Sequence, residues 1–181
     1  MIGALVAGIT GSGGAVASSY ESIATATGTG SSGTITFSSI PSTFKHLQIR
    51  GIFNDGGYNL NLRLNSDSGS NYASHKLYGN GTTVTATGAA SGTEIDTGAY
   101  GGSTTNTMST IIIDILDYAS TTKNKTTRHF AGNDQNGSGL VWVTSGLWTS
   151  TSAISTIQIL NIYGNYNTQT TFALYGIKEA A

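Results

Sequence analysis

Three histidines and nine acids are the side chains of this chain best suited to acid–base or metal chemistry. His46, His75 and His129 show neither the i, i+2 nor the i, i+4 spacing that sets two imidazoles on one metal. His46 falls on the polar face of an alternating run, His75 lies in NYASHKLYG and His129 in KTTRHFA; each reads as a solvent or interface histidine. Among the acids, Glu94 and Asp96 fall in a glycine-rich stretch read as a loop, and Asp114 and Asp117 flank a hydrophobic run. Glycoside hydrolysis needs two carboxyl groups facing each other across a cleft, one kept protonated. Asp114 alternates with isoleucines and reads instead as a hydrogen-bonded structural aspartate. Neither a G-x-S-x-G elbow nor a Walker sequence occurs. The expectation is a non-enzymatic protein without a cofactor. Two loops, Asn65–Asn71 and Asn133–Gly139, imitate calcium sites, but each offers a single carboxylate where a calcium loop supplies several. They read as turns built from turn-forming residues, and no metal is expected.

Aromatic residues are the second chemical resource. Trp142 and Trp148 lie close together in LVWVTSGLWTS, with Trp142 in antiphase to Val141 and Val143. Exposed, these rings and Tyr100 would stack on sugar rings of a host glycan. Burial in a core or a subunit interface is the commoner fate of tryptophan.

The composition limits what else the chain does. Only 9% of its 181 residues are charged, against a usual figure of about 25%. Glycine, serine and threonine together make up 75 positions, so hydroxyls and amides replace charge as the solubilising groups. Eight scattered Lys and Arg against nine acids make no basic face, which argues against nucleic acid as a partner. No apolar run reaches the length of about 18 residues that a membrane helix needs. Cysteine is absent, which excludes a disulfide scaffold and a thiolate metal site.

The elements that position these residues follow a period of two. Tyr58–Asn65, YNLNLRLN, sets Tyr58, Leu60, Leu62 and Leu64 on one face and Asn59, Asn61, Arg63 and Asn65 on the other, toward solvent or another subunit. Similar runs cover 34–38, 44–53, 72–78, 82–87, 125–131, 140–147, 154–163 and 170–177. Ser109–Tyr118, STIIIDILDY, is apolar in both phases and reads as a central strand covered on both sides. Turn signals such as Asn80-Gly81 and Asn136-Gly137 separate the runs. Nine or ten short strands without a helical segment predict an all-β fold: a jelly-roll-like antiparallel β-sandwich over residues 33–181.

Residues 1–32 are rich in Gly, Ala and Ser and read as an extended N-terminal arm. No basic residue precedes its apolar stretch, which argues against a signal peptide. Ordering such a segment costs about 1 kcal/mol or more per residue. The arm is therefore expected to pack on a neighbouring subunit or partner through Met1, Ile2, Leu5, Val6 and Ile9, or to add a strand to its own sheet.

A series of segments carries a family resemblance: YESIAT (20–25), SSIPSTFKHLQIRG (38–51), NSDSGSNYASHKLYGNG (65–81), DILDYASTTKNKT (114–126), SGLWTSTSAISTIQI (145–159) and FALYGIK (172–178). From Tyr20 to Lys178 the chain resembles small virion structural proteins and fibre-tip modules of tailed bacteriophages, marine and cyanobacterial ones especially. The resemblance implies an exterior, non-enzymatic virion role and supplies no catalytic residues. Lacking a long shaft, the chain looks like the stand-alone form. The expected function is a homo-oligomer, a trimer by preference, that decorates or cements the capsid, with the major capsid protein as partner. A tail-fibre or tail-tip adhesin binding a host glycan, with a tail component as partner, is the alternative.

Overall fold

The computed structural model describes residues 18–104 and 106–179. Among them run twelve strands and no helix: β1 (Tyr20–Thr27), β2 (Thr34–Phe37), β3 (His46–Phe53), β4 (Asn59–Leu64), β5 (Tyr72–Gly79), β6 (Val84–Gly92), β7 (Ile95–Tyr100), β8 (Ser109–Leu116), β9 (Lys125–Asp134), β10 (Gly139–Trp148), β11 (Ile157–Asn161) and β12 (Thr171–Ile177). They form two antiparallel sheets packed as a sandwich. The larger has the order β1-β12-β3-β8-β9-β10-β5-β6, the smaller β2-β11-β4-β7. The N-terminal strands alternate between sheets and pair with the C-terminal ones: β1 and β3 flank β12, while β2 and β4 flank β11.

Alternation dictates which side chains meet between the layers. Leu47, Ile49 and Phe53 of β3, Ile111, Ile113 and Ile115 of β8, and Phe172 and Leu174 of β12 point inward from the large sheet. Leu60, Leu62 and Leu64 of β4 and Ile157 and Ile159 of β11 meet them from the small one. Gly51 interrupts the β3 series because the Phe172 ring fills its place; a Cβ there would lie 2.3 Å from two ring carbons. Phe172 in turn stacks on Phe53, centroids 5.8 Å apart.

Several expectations change. Tyr20–Thr27, assigned to the arm, is the edge strand β1 paired along β12, so the sandwich begins before residue 33. Its Ile, Ala and Thr content gives only partial burial, which suits an edge. The glycine-rich stretch holding Glu94 and Asp96, read as a loop, contains the edge strand β7, with Ile95, Thr97 and Ala99 turned inward. Gly98 adopts φ 74° there, close to the Lys76 side chain and the Trp142 ring. β8 is central as expected, yet among the described residues only one of its faces is covered: Ile112 is 41% exposed. Tyr58 lies just outside β4 and is exposed rather than inward. The proposed arm contacts Met1, Ile2, Leu5, Val6 and Ile9 lie outside the described residues.

Candidate functional site

The residues chosen for chemistry are mostly absorbed by structure. Trp142 and Trp148 are each only 2% exposed: both take the burial that is the commoner fate of tryptophan, which corrects their candidacy as glycan-stacking contacts. Trp142 lies on the inward phase of β10, tilted against Tyr100 at 5.9 Å, and it is Val141 and Val143 that face solvent. Trp148 stacks on Tyr72 at 6.3 Å, and its Nε1 donates to Asp67 Oδ2 at 2.7 Å. That bond, the Asn71 amide and the Gly69 N–H hold the Asp67 carboxyl below its usual range. Asp67 thus serves its own turn, and the Asn65–Asn71 loop offers little to a cation. Asp134 Oδ1 likewise accepts the Asn136 N–H at 2.9 Å in the second calcium-like loop. Among the described residues no group of three metal-ligating side chains converges.

The histidines part company. His46 Nδ1 accepts the Asp117 N–H at 3.0 Å, and His75 is exposed on β5. His129 is buried, contrary to expectation; its Nε2 meets Thr127 Oγ1 at 2.8 Å and its Nδ1 has no partner. Burial pushes this imidazole down to about 3. Asp114 is tied to Gln48 at 2.8 Å and Arg128 at 3.3 Å, consistent with a structural aspartate. Tyr100 remains 41% exposed at the rim of β7.

Two features stand outside that structural accounting. The first is the outer face of the large sheet. The registers align Arg50, Ile112, Phe130, Val143, Leu77 and Ala86 in one row across β3, β8, β9, β10, β5 and β6. Phe130 is 58% exposed and its apolar neighbours in the row are about as open. Ile52, Val141 and Val84 widen the strip. Beside it, a shallow depression of about 400 Å³ opens between Ile52, Ile112 and Phe130. Contiguous exposed apolar patches are a common mark of interaction surfaces on folded domains.

The second is a groove of about 450 Å³ where β4 and β7 of the small sheet meet β5 and β6 of the large one. Asn59, Asn61, Glu94 and Asp96 line it, with Ile162 and Tyr163 from the loop after β11. Two irregularities of pairing shape it, one between β4 and β7 and one between β5 and β6. Bulges of this type re-aim side chains next to binding sites. Ser91, in the second irregularity, has φ 58°, a conformation that costs a non-glycine residue about 1 kcal/mol or more.

The electrostatics of the groove are nearly closed. Arg63 donates to Glu94 Oε2 at 2.8 Å. Asp96 accepts from Lys76 Nζ, from Asn59 Nδ2 at 3.0 Å and from the Gly98 N–H at 2.8 Å. What stays open is amide: Asn59 Oδ1 is buried without a partner, and the Asn61 side chain lines the groove without bonding a described residue. Leaving a buried acceptor such as Asn59 Oδ1 unsatisfied costs about 1–3 kcal/mol. Sequence reading assigned Asn59 and Asn61 to a solvated or interface strand face; it missed the groove because β6 and Tyr163 reach it from distant chain positions. The alternating amides of YNLNLRLN were the one available signal. Compared with known protein families, curated protein sequences and solved structures, this chain has no match.

Proposed function

We propose that the chain is a non-enzymatic structural protein of a tailed-phage virion exterior: a jelly-roll-like sandwich that assembles, by preference as a trimer, and decorates or cements the capsid. The observation that carries the assembly is the apolar row Ile112, Phe130, Val143 and Leu77 on an otherwise hydroxyl-rich surface. The occupant proposed for it is a second copy of the same chain. Eight strands at about 4.8 Å, each about seven residues of about 3.3 Å, give a face of roughly 900 Å². A stable association buries about 800 Å² per partner. Three copies turning this face to a common axis cover the row and close the assembly. The likeness of Tyr20–Lys178 to phage virion proteins and the alternating pairing of β1–β4 with β11 and β12 support the location and the jelly-roll reading.

Residues 1–17, which precede the first described residue, serve in this reading as the anchor to the major capsid protein. Quantitative mass spectrometry of purified particles tests it. Hundreds of copies per particle are expected for capsid decoration; none would end the virion reading. A handful of copies would move the protein to a tail or vertex. That second reading, an adhesin on a tail fibre or tail tip, is favoured by the amide- and tyrosine-lined groove rather than by the buried tryptophans.

A further inference from the structure

We infer that the groove between β4, β6 and β7 binds a neutral saccharide, stacked on Tyr163 and hydrogen-bonded by Asn59 and Asn61. The inference stands on the groove alone and holds whether the protein belongs to a head or a tail. Its volume of about 450 Å³ falls in the range of ordinary ligand sites. The ligand class follows from which groups are already engaged. Both carboxylates have cationic partners of their own, Arg63 on Glu94 and Lys76 on Asp96, so the groove holds neither a free negative charge for a cation nor a free cation for an anion. The groups left without partners are amides: Asn59 Oδ1, buried at the groove wall, and the Asn61 side chain, which lines the groove, makes no hydrogen bond to a described residue, and serves as both acceptor and donor. Vicinal hydroxyls, each able to donate and accept, are the complement of such a set.

Tyr163 supplies the apolar half of the recognition. It is 69% exposed, the most open tyrosine among the large hydrophobics. Its loop is nonetheless fixed: Asn161 Oδ1 accepts the Tyr163 and Gly164 N–H groups at 3.1 and 2.9 Å, and Asn161 Nδ2 donates to the Asp55 carbonyl at 3.1 Å. The neighbouring Tyr58 ring lies 6.0 Å away and supports it from the side. A held, exposed ring beside unpaired amides presents an apolar face and a polar edge, and the two faces of a pyranose carry that same division. Pre-organisation of this kind lowers the ordering cost of binding.

Saturation-transfer difference NMR on the full chain tests the inference, with D-glucose, D-galactose, L-rhamnose and N-acetyl-D-glucosamine as probes beside N-acetylneuraminic acid and calcium chloride. At least one neutral sugar should show transfer to its ring protons, undiminished by a chelator. Tyr163→Ala and Asn61→Ala should each weaken that binding by about tenfold or more, the loss of one stacking or buried polar contact. Tyr20→Ala, an exposed tyrosine at the far edge strand, should leave it unchanged. Asn61→Asp, a near-isosteric variant, covers the case in which Asn61→Ala fails to fold. Silence from every neutral sugar, transfer to the acidic sugar alone, binding abolished by the chelator, or binding that survives both Tyr163→Ala and the Asn61 variants would each overturn the assignment.

Discussion

Asp55 and His129 should set opposite pH slopes on stability, and removing one should unmask the other. Asp55 is buried just after β3; its Oδ1 accepts the Gly57 and Tyr58 N–H groups at 3.2 and 3.1 Å, while Oδ2 has no partner. Burial raises its pKa from 3.8 to about 6. A carboxyl raised in the folded state favours the fold most below its unfolded pKa, and that contribution is lost as pH rises through about 6. The shift corresponds to about 3 kcal/mol in full, of which about 2 kcal/mol is regained between pH 7 and pH 4.5. His129 runs the other way. Its pKa falls from 6.5 to about 3, so its contribution is complete above 6.5 and is lost as pH falls. Between pH 7 and pH 4.5 that loss is about 2.5 kcal/mol. The wild type should therefore change by less than about 1 kcal/mol over this interval. Asp55→Asn keeps the Oδ1 acceptor and removes the titration, so it should be at least as stable as wild type at pH 7 and lose about 2.5 kcal/mol by pH 4.5. His129→Gln should show the mirror image, gaining about 2 kcal/mol over the same fall. Urea unfolding at fixed protein concentration reads both slopes. A flat profile for Asp55→Asn, or a wild type that falls as steeply as that variant, would refute the opposing-pair argument.

Other perturbations test the packing and the assembly. Gly51→Ala places a methyl group 2.3 Å from the buried Phe172 ring and should cost about 1–3 kcal/mol, read as a lower Tm in a thermal melt. Trp148→Phe keeps the stack on Tyr72 but deletes the bond to Asp67; the Asp67 pKa should rise toward the ordinary carboxylate value in an NMR titration, with a stability loss of about 1–2 kcal/mol. Phe130→Asp places a charge in the middle of the outer face and should convert an oligomer to an 18.6 kDa monomer in sedimentation, with the fold intact by circular dichroism.

Fold class was readable because a half-buried strand writes its burial into alternate positions: Leu60, Leu62 and Leu64 point inward as the pattern says they must. The two strands that escaped, β1 and β7, are edge strands with a single isoleucine each, Ile23 and Ile95, their other core-facing positions being alanine or threonine. Composition resembles a loop there, and only the partner strand reveals the pairing. The doubly apolar β8 misled differently. Ile112 was read as covered because covering is what a single chain does with such a residue, whereas among the described residues it stays 41% exposed. His129 and Trp142 show the limit of phase arguments: in KTTRHFAGND and GLVWVTSGLW both phases hold polar and apolar groups, so alternation alone does not say which faces inward. The groove was beyond sequence altogether, since it joins residues from 59 to 163 whose adjacency is a product of topology.

The outer face and the groove share no residue, and their placement suggests that they act together. The face is carried by β3, β8, β9, β10 and β5 on the side of the large sheet away from the core; the groove is formed where β4 and β7 of the opposite layer meet the β5–β6 edge. In the trimer proposed above, burying the first around an axis would leave the second on the outside of each copy. A single groove offering two amides and one ring binds weakly, but linked copies convert later binding steps into intramolecular ones and raise avidity by about 10²–10⁴. Phe130→Asp should thus leave the affinity for a monosaccharide unchanged while retention on an immobilised polysaccharide of the same sugar falls by about two orders of magnitude. Equal retention of the monomeric variant and the wild type would separate the two features and leave the outer face with a purely architectural role.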